Sequence, residues 1–409
     1  MQQPKATKSY DVVIVGGGMA GLALAAGLAA TNLKLALVEA AEQPPNWQAS
    51  IFNTRVSALS ETSRQLLESL GAWSAMEKRR VNPYQGMHVW DGEGTAEVAF
   101  DAAEAGVSNL GYLVENAVTQ LGLLEAVANQ ANLDWYRGVE ATELSEPASA
   151  QGKRSLVLND GRCLEAALIV GADGANSKIR QLANFKTREW NYGHHALVTS
   201  VRMEKSHGNT AWQNFTEKGV LAFLPLNLEG DNHWCSIVWS THPEEAAELL
   251  ALDEQAFNQQ LAQAFEGRLG KVELSQTRQV VPLRQRHAID YVKPGLALIA
   301  DAAHTIHPLA GQGINLGFAD TAVLTQVIKQ AAADNKPLGS LMVLNTYQRQ
   351  RKPDNLAMMA LMESFKRLFA TQKLPVLLLR NLGMKLVNAN PWIKRQLIAQ
   401  ALGLRPLAK

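Results

Sequence analysis

Gly16, Gly18 and Gly21 stand in the spacing G-x-G-x-x-G, directly after the run Val12-Val13-Ile14-Val15 and directly before an alanine- and leucine-rich stretch. That order reads as strand, glycine turn and helix, and its chemistry is the binding of a pyrophosphate. Gly16 permits the tight turn, Gly18 lets backbone approach the phosphates, and Gly21 lets the helix pack closely on the strand. The helix N-terminus adds free N–H groups and a favourable dipole. Glu39 closes the next strand, where an acidic side chain can accept hydrogen bonds from both ribose hydroxyls of an adenosine. A GxGxxG alone is weak evidence. With a strand before it, a helix after it and an acid downstream, it points to a dinucleotide.

Two later segments narrow the choice. One is Gly171-Ala-Asp173-Gly174-Ala-Asn-Ser-Lys-Ile-Arg180, and the other runs Asp301-Ala-Ala-His304-Thr-Ile-His307-Pro308-Leu-Ala-Gly311-Gln312-Gly313-Ile314-Asn315-Leu-Gly317. Asp301, at a strand end, can hydrogen-bond a polyhydroxy chain such as ribityl. Pro308, Gly311 and Gly313 let backbone pass close to a flat ring. The N–H groups at the start of the following helix, around Ile314 and Asn315, can face the edge of such a ring where negative charge collects.

With the N-terminal glycines, these segments resemble the class A flavoprotein aromatic hydroxylases, the para-hydroxybenzoate hydroxylase-like group. They occur in that family's order and over essentially the whole chain. The resemblance implies FAD as cofactor, with the ring edge near Ile314 and Asn315 being flavin N1/O2. It implies NAD(P)H as co-substrate, bound in a shared groove because no second Rossmann motif exists. It also makes Arg55-Val-Ser-Ala-Leu59 similar to the family's arginine motif, whose guanidinium can contact the pyrophosphate or face the isoalloxazine and substrate. Asp173 matches a family residue linked to both flavin and NAD(P)H binding, and Arg180 is a candidate phosphate contact. Ala300 stands where the family usually has glycine, and Glu115 where many relatives carry a flavin-contacting arginine, so Glu115 takes no role.

The segments Trp212-Gln-Asn-Phe215, Leu221-Ala-Phe-Leu-Pro225-Leu226, residues 304–317 and Tyr347-Gln-Arg-Gln-Arg351-Lys-Pro-Asp-Asn355 are similar to the ubiquinone-biosynthesis hydroxylases. That branch implies an aromatic-ring monooxygenase acting on a polyprenylated phenol or quinol with NAD(P)H and O2. Two alternatives keep the same FAD motifs: a flavin reductase of prenyl chains, and a non-catalytic FAD-binding subunit of a quinone-biosynthesis complex. A flavin-dependent halogenase is disfavoured because no W-x-W-x-I-P segment occurs. No catalytic base is identified from the sequence.

The elements that must position these residues follow from periodicity. Helices are predicted over residues 22–30, 60–73, 113–128 and after Gly317. Strands are predicted over 34–39 and 296–301, and a hairpin around Asn159-Asp160-Gly161. The fold class is α/β, a Rossmann-type FAD-binding domain with an inserted β-rich substrate domain and a helical C-terminal tail. The FAD-binding domain comprises 1–75, 106–185 and 286–345, the substrate domain 76–105 and 186–285, and the tail 346–409.

Composition excludes other classes. The 409 residues carry 39 basic and 38 acidic side chains, which gives no case for nucleic acid. Cys163 and Cys235 are too few for a disulfide framework and suit a reducing cytoplasm. His304 and His307 lack further ligands, so no metal is expected and a structural role is favoured. The polar N-terminus is unlike a signal peptide, and no apolar run approaches the ~20 residues of a membrane span. After Glu363 there is no acid, yet Lys366, Arg367, Lys373, Arg380, Lys385, Lys394, Arg395, Arg405 and Lys409 are interleaved with large apolar residues. Residues 364–409 are therefore a candidate peripheral contact with the inner face of a membrane. A packed helix pair with a solvated basic face gives the same pattern, and the two are compatible.

Overall fold

In the computed structural model the described residues are 7–92, 96–147, 152–305, 313–369 and 374–403. The strand Lys8–Val15 pairs in parallel with Leu35–Glu39 on one side and Cys163–Gly171 on the other. Leu133–Arg137 and Leu296–Leu298 extend this sheet outward in parallel. A sheet covered on both faces favours β-branched runs, and Val12, Val13 and Ile14 are fully buried. The helix Met19–Gly27 is apolar nearly all round, because it is sandwiched between the sheet and the helices Asn116–Val127 and Gly313–Ala333.

A second sheet of nine strands is mainly antiparallel. It is built from Gly86–Asp91 and Glu97–Asp101 together with strands between Thr187 and Ala288. Helices Pro243–Ala251 and Glu254–Ala264 contribute Leu249, Phe257 and Leu261 to its core, against Leu197, Phe223 and Ile237. One edge strand of this sheet is His304–Thr305, which pairs with Gln279–Ala288. The tract after Asp301 is thus hydrogen-bonded into the second sheet.

The helix predicted over 60–73 is two helices, Glu61–Ser69 and Trp73–Glu77, and the one predicted over 22–30 runs Met19–Gly27. Three further elements differ from the sequence reading. Residues 113–115 are not helical: Gly111–Glu115 is a strand between Val56–Leu59 and Asn82–Tyr84, and the helix begins at Asn116. Leu113 and Val114 are fully buried there, and a strand partner on each side outweighs their helix propensity. The strand over 296–301 stops at Leu298 and gives way to a tight turn over Ala300–Ala302. The helix placed after Gly317 starts earlier, at Gly313.

The C-terminal helices are Leu341–Phe369, Leu374–Ala389 and Pro391–Ala401. They also correct the picture of a uniformly solvated basic face. Arg380 is buried and ion-paired with buried Asp91, and Lys394 is buried and paired with Glu104 at 3.3 Å. The last helix is tied back further by Arg395 Nε donating to the Glu104 carbonyl and by Thr62 Oγ1 donating to the Leu402 carbonyl.

Candidate flavin site

The glycine turn is pinned from both sides. The Gly17 N–H donates to Glu39 Oε2 at 2.5 Å, and Gln120 Nε2 donates to the Gly17 carbonyl at 2.9 Å. Glu39 also accepts from the Ala41 N–H at 2.8 Å, so its carboxylate is held at the mouth of the turn. Gln120, which nothing in the motif spacing marks, is a site residue that only the fold brings in.

The three motif glycines have different physical reasons. A Cβ on Gly16 would lie 2.4 Å from the Ala172 carbonyl oxygen, and Gly16 has φ +110°. A Cβ on Gly21 would lie 1.9 Å from the Gly16 carbonyl oxygen. Both are needed for the chain to close on itself. A Cβ on Gly18 meets nothing within 4 Å. Gly18 therefore fronts open space at the N-terminus of the helix, which is the cradle a pyrophosphate requires.

Arg55 is exposed, immediately before the strand Val56–Leu59, with its carbonyl accepting from the Asn116 N–H. It lies close enough to Asp301 to act on its ionisation. Burial pushes the Asp301 carboxyl above the usual carboxylate range, and the charges of His304 and Arg55 offset part of that rise. Gly313 opens its helix, and Ile314 packs against the main core. The Asn315 side chain is engaged within the protein. Its Nδ2 donates to the Ala58 carbonyl, and its Oδ1 accepts from the Ser60 N–H and Ser63 Oγ. What Asn315 can offer a cofactor is thus its backbone. Gly311, Pro308 and His307 lie outside the described residues.

The Asp173 carboxylate accepts from Ser177 Oγ at 2.5 Å and from the Lys178 and Ile179 N–H groups. It caps the start of a short helix and retains little free accepting capacity. Arg180 does not face solvent as a phosphate ligand would. It is buried and donates to the carbonyls of Ala302 and Ala175, tying the Asp173 loop to the Asp301 turn. Glu115 is buried against Arg80 at 2.7 Å and also accepts from the Asn53 N–H. It stabilises the loop leading to Arg55. Among the described residues there is no cluster of ligating side chains suited to a metal ion.

The glycine turn that is open at Gly18, the Glu39 carboxylate and the turn that carries Asp301 thus all lie at the carboxyl ends of parallel strands of the first sheet. A family model described as FAD binding domain matches residues 9–361. The chain belongs to that family. Among its relatives, 3-demethoxyubiquinol 3-hydroxylase of Escherichia coli is 39% identical over 96% of this chain and 98% of its own length. Ubiquinone biosynthesis monooxygenase COQ6 of Xenopus tropicalis is 36% identical over 96% of this chain and 93% of its own. These place the chain in the ubiquinone-biosynthesis branch of the FAD-dependent hydroxylases, and it is an FAD-dependent monooxygenase. The fold is shared with p-nitrophenol 4-monooxygenase PnpA from Pseudomonas putida, at a TM-score of 0.79 and 16% identity, covering 98% of this chain and all of that one.

The geometry of this flavoprotein fits its cofactor. Gly18 and the helix behind it suit the phosphates, Glu39 the adenosine ribose, and Asp301 the ribityl chain. Asp301→Ala should weaken FAD binding about tenfold or more, since a hydrogen bond to a charged group is worth ~1.5–3 kcal/mol. Fluorescence titration of apoprotein with FAD checks this. Unchanged affinity would mean that Asp301 does not hold the cofactor.

Proposed function

We propose that this monooxygenase hydroxylates the aromatic ring of a polyprenylated phenol or quinol in ubiquinone biosynthesis, with NAD(P)H as electron donor and O2 as oxygen source. The observation that carries this reading is the near full-length similarity to 3-demethoxyubiquinol 3-hydroxylase and to the COQ6 enzymes. FAD, once bound, supplies the redox and oxygen chemistry. The protein's part is binding, orientation and exclusion of water. Gly16, Gly18, Gly21 and Glu39 hold the ADP half. Asp301 and Arg55 hold the ribityl and pyrophosphate region, and backbone from Gly313 to Asn315 borders the flavin ring. Asp173 is retained as a contact for NAD(P)H or flavin through the little accepting capacity its helix cap leaves. The test is product analysis with labelled dioxygen. One labelled oxygen in the product ring is expected, and NAD(P)H oxidation without labelled product would overturn the assignment.

A substrate of this class stays in a bilayer, and the C-terminal helices offer a surface for docking there. Leu382, Lys385, Leu386 and Ala389 recur at helical spacing and are all exposed, and Trp392 follows at 68% exposure. No acid lies beyond Glu363. Among the described residues no helix is long and apolar enough to cross a membrane. An exposed apolar ridge with cations beside it supports contact with the membrane surface. Leu386→Glu combined with Trp392→Glu should reduce co-sedimentation with phosphatidylglycerol vesicles and leave FAD content unchanged. Equal sedimentation of parent and variant would remove the membrane from this reading.

A further inference from the structure

Behind the Asp301 tract lies a buried polar cluster that the cofactor assignments do not use. Asp320, on the helix Gly313–Ala333, has no exposed surface. Its Oδ2 accepts from the Ala300 N–H at 3.1 Å and from His304 Nε2 at 2.5 Å. Its Oδ1 accepts from Arg351 Nε at 2.9 Å and Asn355 Nδ2 at 3.0 Å. Burial alone would push this carboxyl up. The charge of His304 and its hydrogen bond, with Arg351 and Asn355 beside them, outweigh burial and hold it below the usual range. Asp320 is an anion whose four accepting positions are all filled.

The two donors to Oδ2 flank Asp301 on either side. Ala300 has φ +52°, a backbone that costs an L-residue ~1–2 kcal/mol. Its N–H bond to Asp320 holds the turn in that strained form. The turn also presses on the helix, because a Cβ on Gly317 would stand 2.7 Å from the Ala300 Cβ. At the other end, His304 is fixed twice: by Asp320 through its ring, and by pairing with His287 in the second sheet through its backbone. One carboxylate therefore sets both ends of the 300–304 tract and joins it to the helix whose N-terminus borders the ring edge.

We propose that His304 and Asp320 form a positioning pair that fixes the direction of the Asp301 carboxylate toward the FAD ribityl chain. The proposal rests on the assignment of Asp301 to FAD. A side chain that orients a ligating group from behind changes affinity without touching the ligand, as outer-shell partners do at metal sites.

The experiment is a double-mutant cycle read by FAD titration of apoprotein, with apoprotein thermal stability and the bound-flavin midpoint potential measured in parallel. His304→Leu should weaken FAD binding about tenfold and shift the potential. His304→Gln, whose amide can still donate to Asp320, should bind FAD within about threefold of the parent. In an Asp301→Ala background, His304→Leu should add little, because its effect passes through Asp301. Parent affinity for Asp301→Ala would sink the assignment of Asp301 itself. A weakened Asp301→Ala with a fully additive His304→Leu would sink the positioning pair alone, as would a failure of His304→Gln to restore binding. Should His304→Leu not fold, His304→Asn, polar but too short to reach Asp320, takes its place with the same expected outcome.

Discussion

Gly18→Val yields a folded, colourless protein, and Gly21→Ala yields little folded protein at all. The two glycines belong to one motif, so a purely motif-based view predicts the same outcome for both. Their surroundings separate them. Gly18 has φ −72° and ψ −178°, an extended backbone that valine adopts readily, and an added Cβ there meets no protein atom within 4 Å. The new methyl groups fill the space in which the pyrophosphate would lie, so the loss falls on binding. Forfeiting even two charge-assisted hydrogen bonds corresponds to a ~100-fold weaker complex or worse. A Cβ at Gly21 instead overlaps the Gly16 carbonyl oxygen at 1.9 Å, and that oxygen is backbone that cannot swing aside. The penalty lies at or beyond the upper end of the ~1–3 kcal/mol that overpacking costs. Circular dichroism, thermal melting and flavin absorbance of the two purified variants check the contrast. Normal flavin content in Gly18→Val would place the pyrophosphate elsewhere.

Arg380→Met destabilises the protein by about 3–5 kcal/mol, whereas Lys385→Gln, five residues on, changes stability by less than about 0.5 kcal/mol. Both positions are cations in the same helix, and only tertiary structure distinguishes them. Arg380 and Asp91 are almost completely desolvated against each other, with side-chain exposures of 2% and 1%. The guanidinium also donates to the carbonyls of Leu368 and Phe369 at the end of the preceding helix, and lies over the Phe369 ring. Removing it takes the Arg380 charge away from the buried Asp91 carboxylate and one donor away from each of those two carbonyls. Because Asp91 belongs to the second sheet, the loss also loosens the attachment of the C-terminal helices, so limited proteolysis should cut there first. Chemical denaturation of both variants is the measurement. Asp91→Asn combined with Arg380→Met should cost less than the sum of the two single changes. Equal stability of Arg380→Met and parent would show that this pair does not hold the tail.

What the sequence determined by itself is local. The strand–glycine turn–helix at residues 12–27 was legible because the φ > 0 demand at Gly16, the buried β-branched run and the small helix residues lie within one short window. The hairpin at Asn159-Asp160-Gly161 was legible for the same reason, with Gly161 at φ +82° between paired strands. Only the tertiary structure decided features whose energy comes from distant partners. Leu113–Glu115 became a strand because segments some thirty to sixty residues earlier pair with it on both sides. Ala300 keeps a left-handed backbone in place of glycine because Asp320, twenty residues on, holds its N–H. Arg380 and Lys394 left the solvated face because Asp91 and Glu104 meet them across nearly three hundred residues. A buried charge is affordable only beside its countercharge. Spacing along the chain carries no record of a partner that only folding brings near.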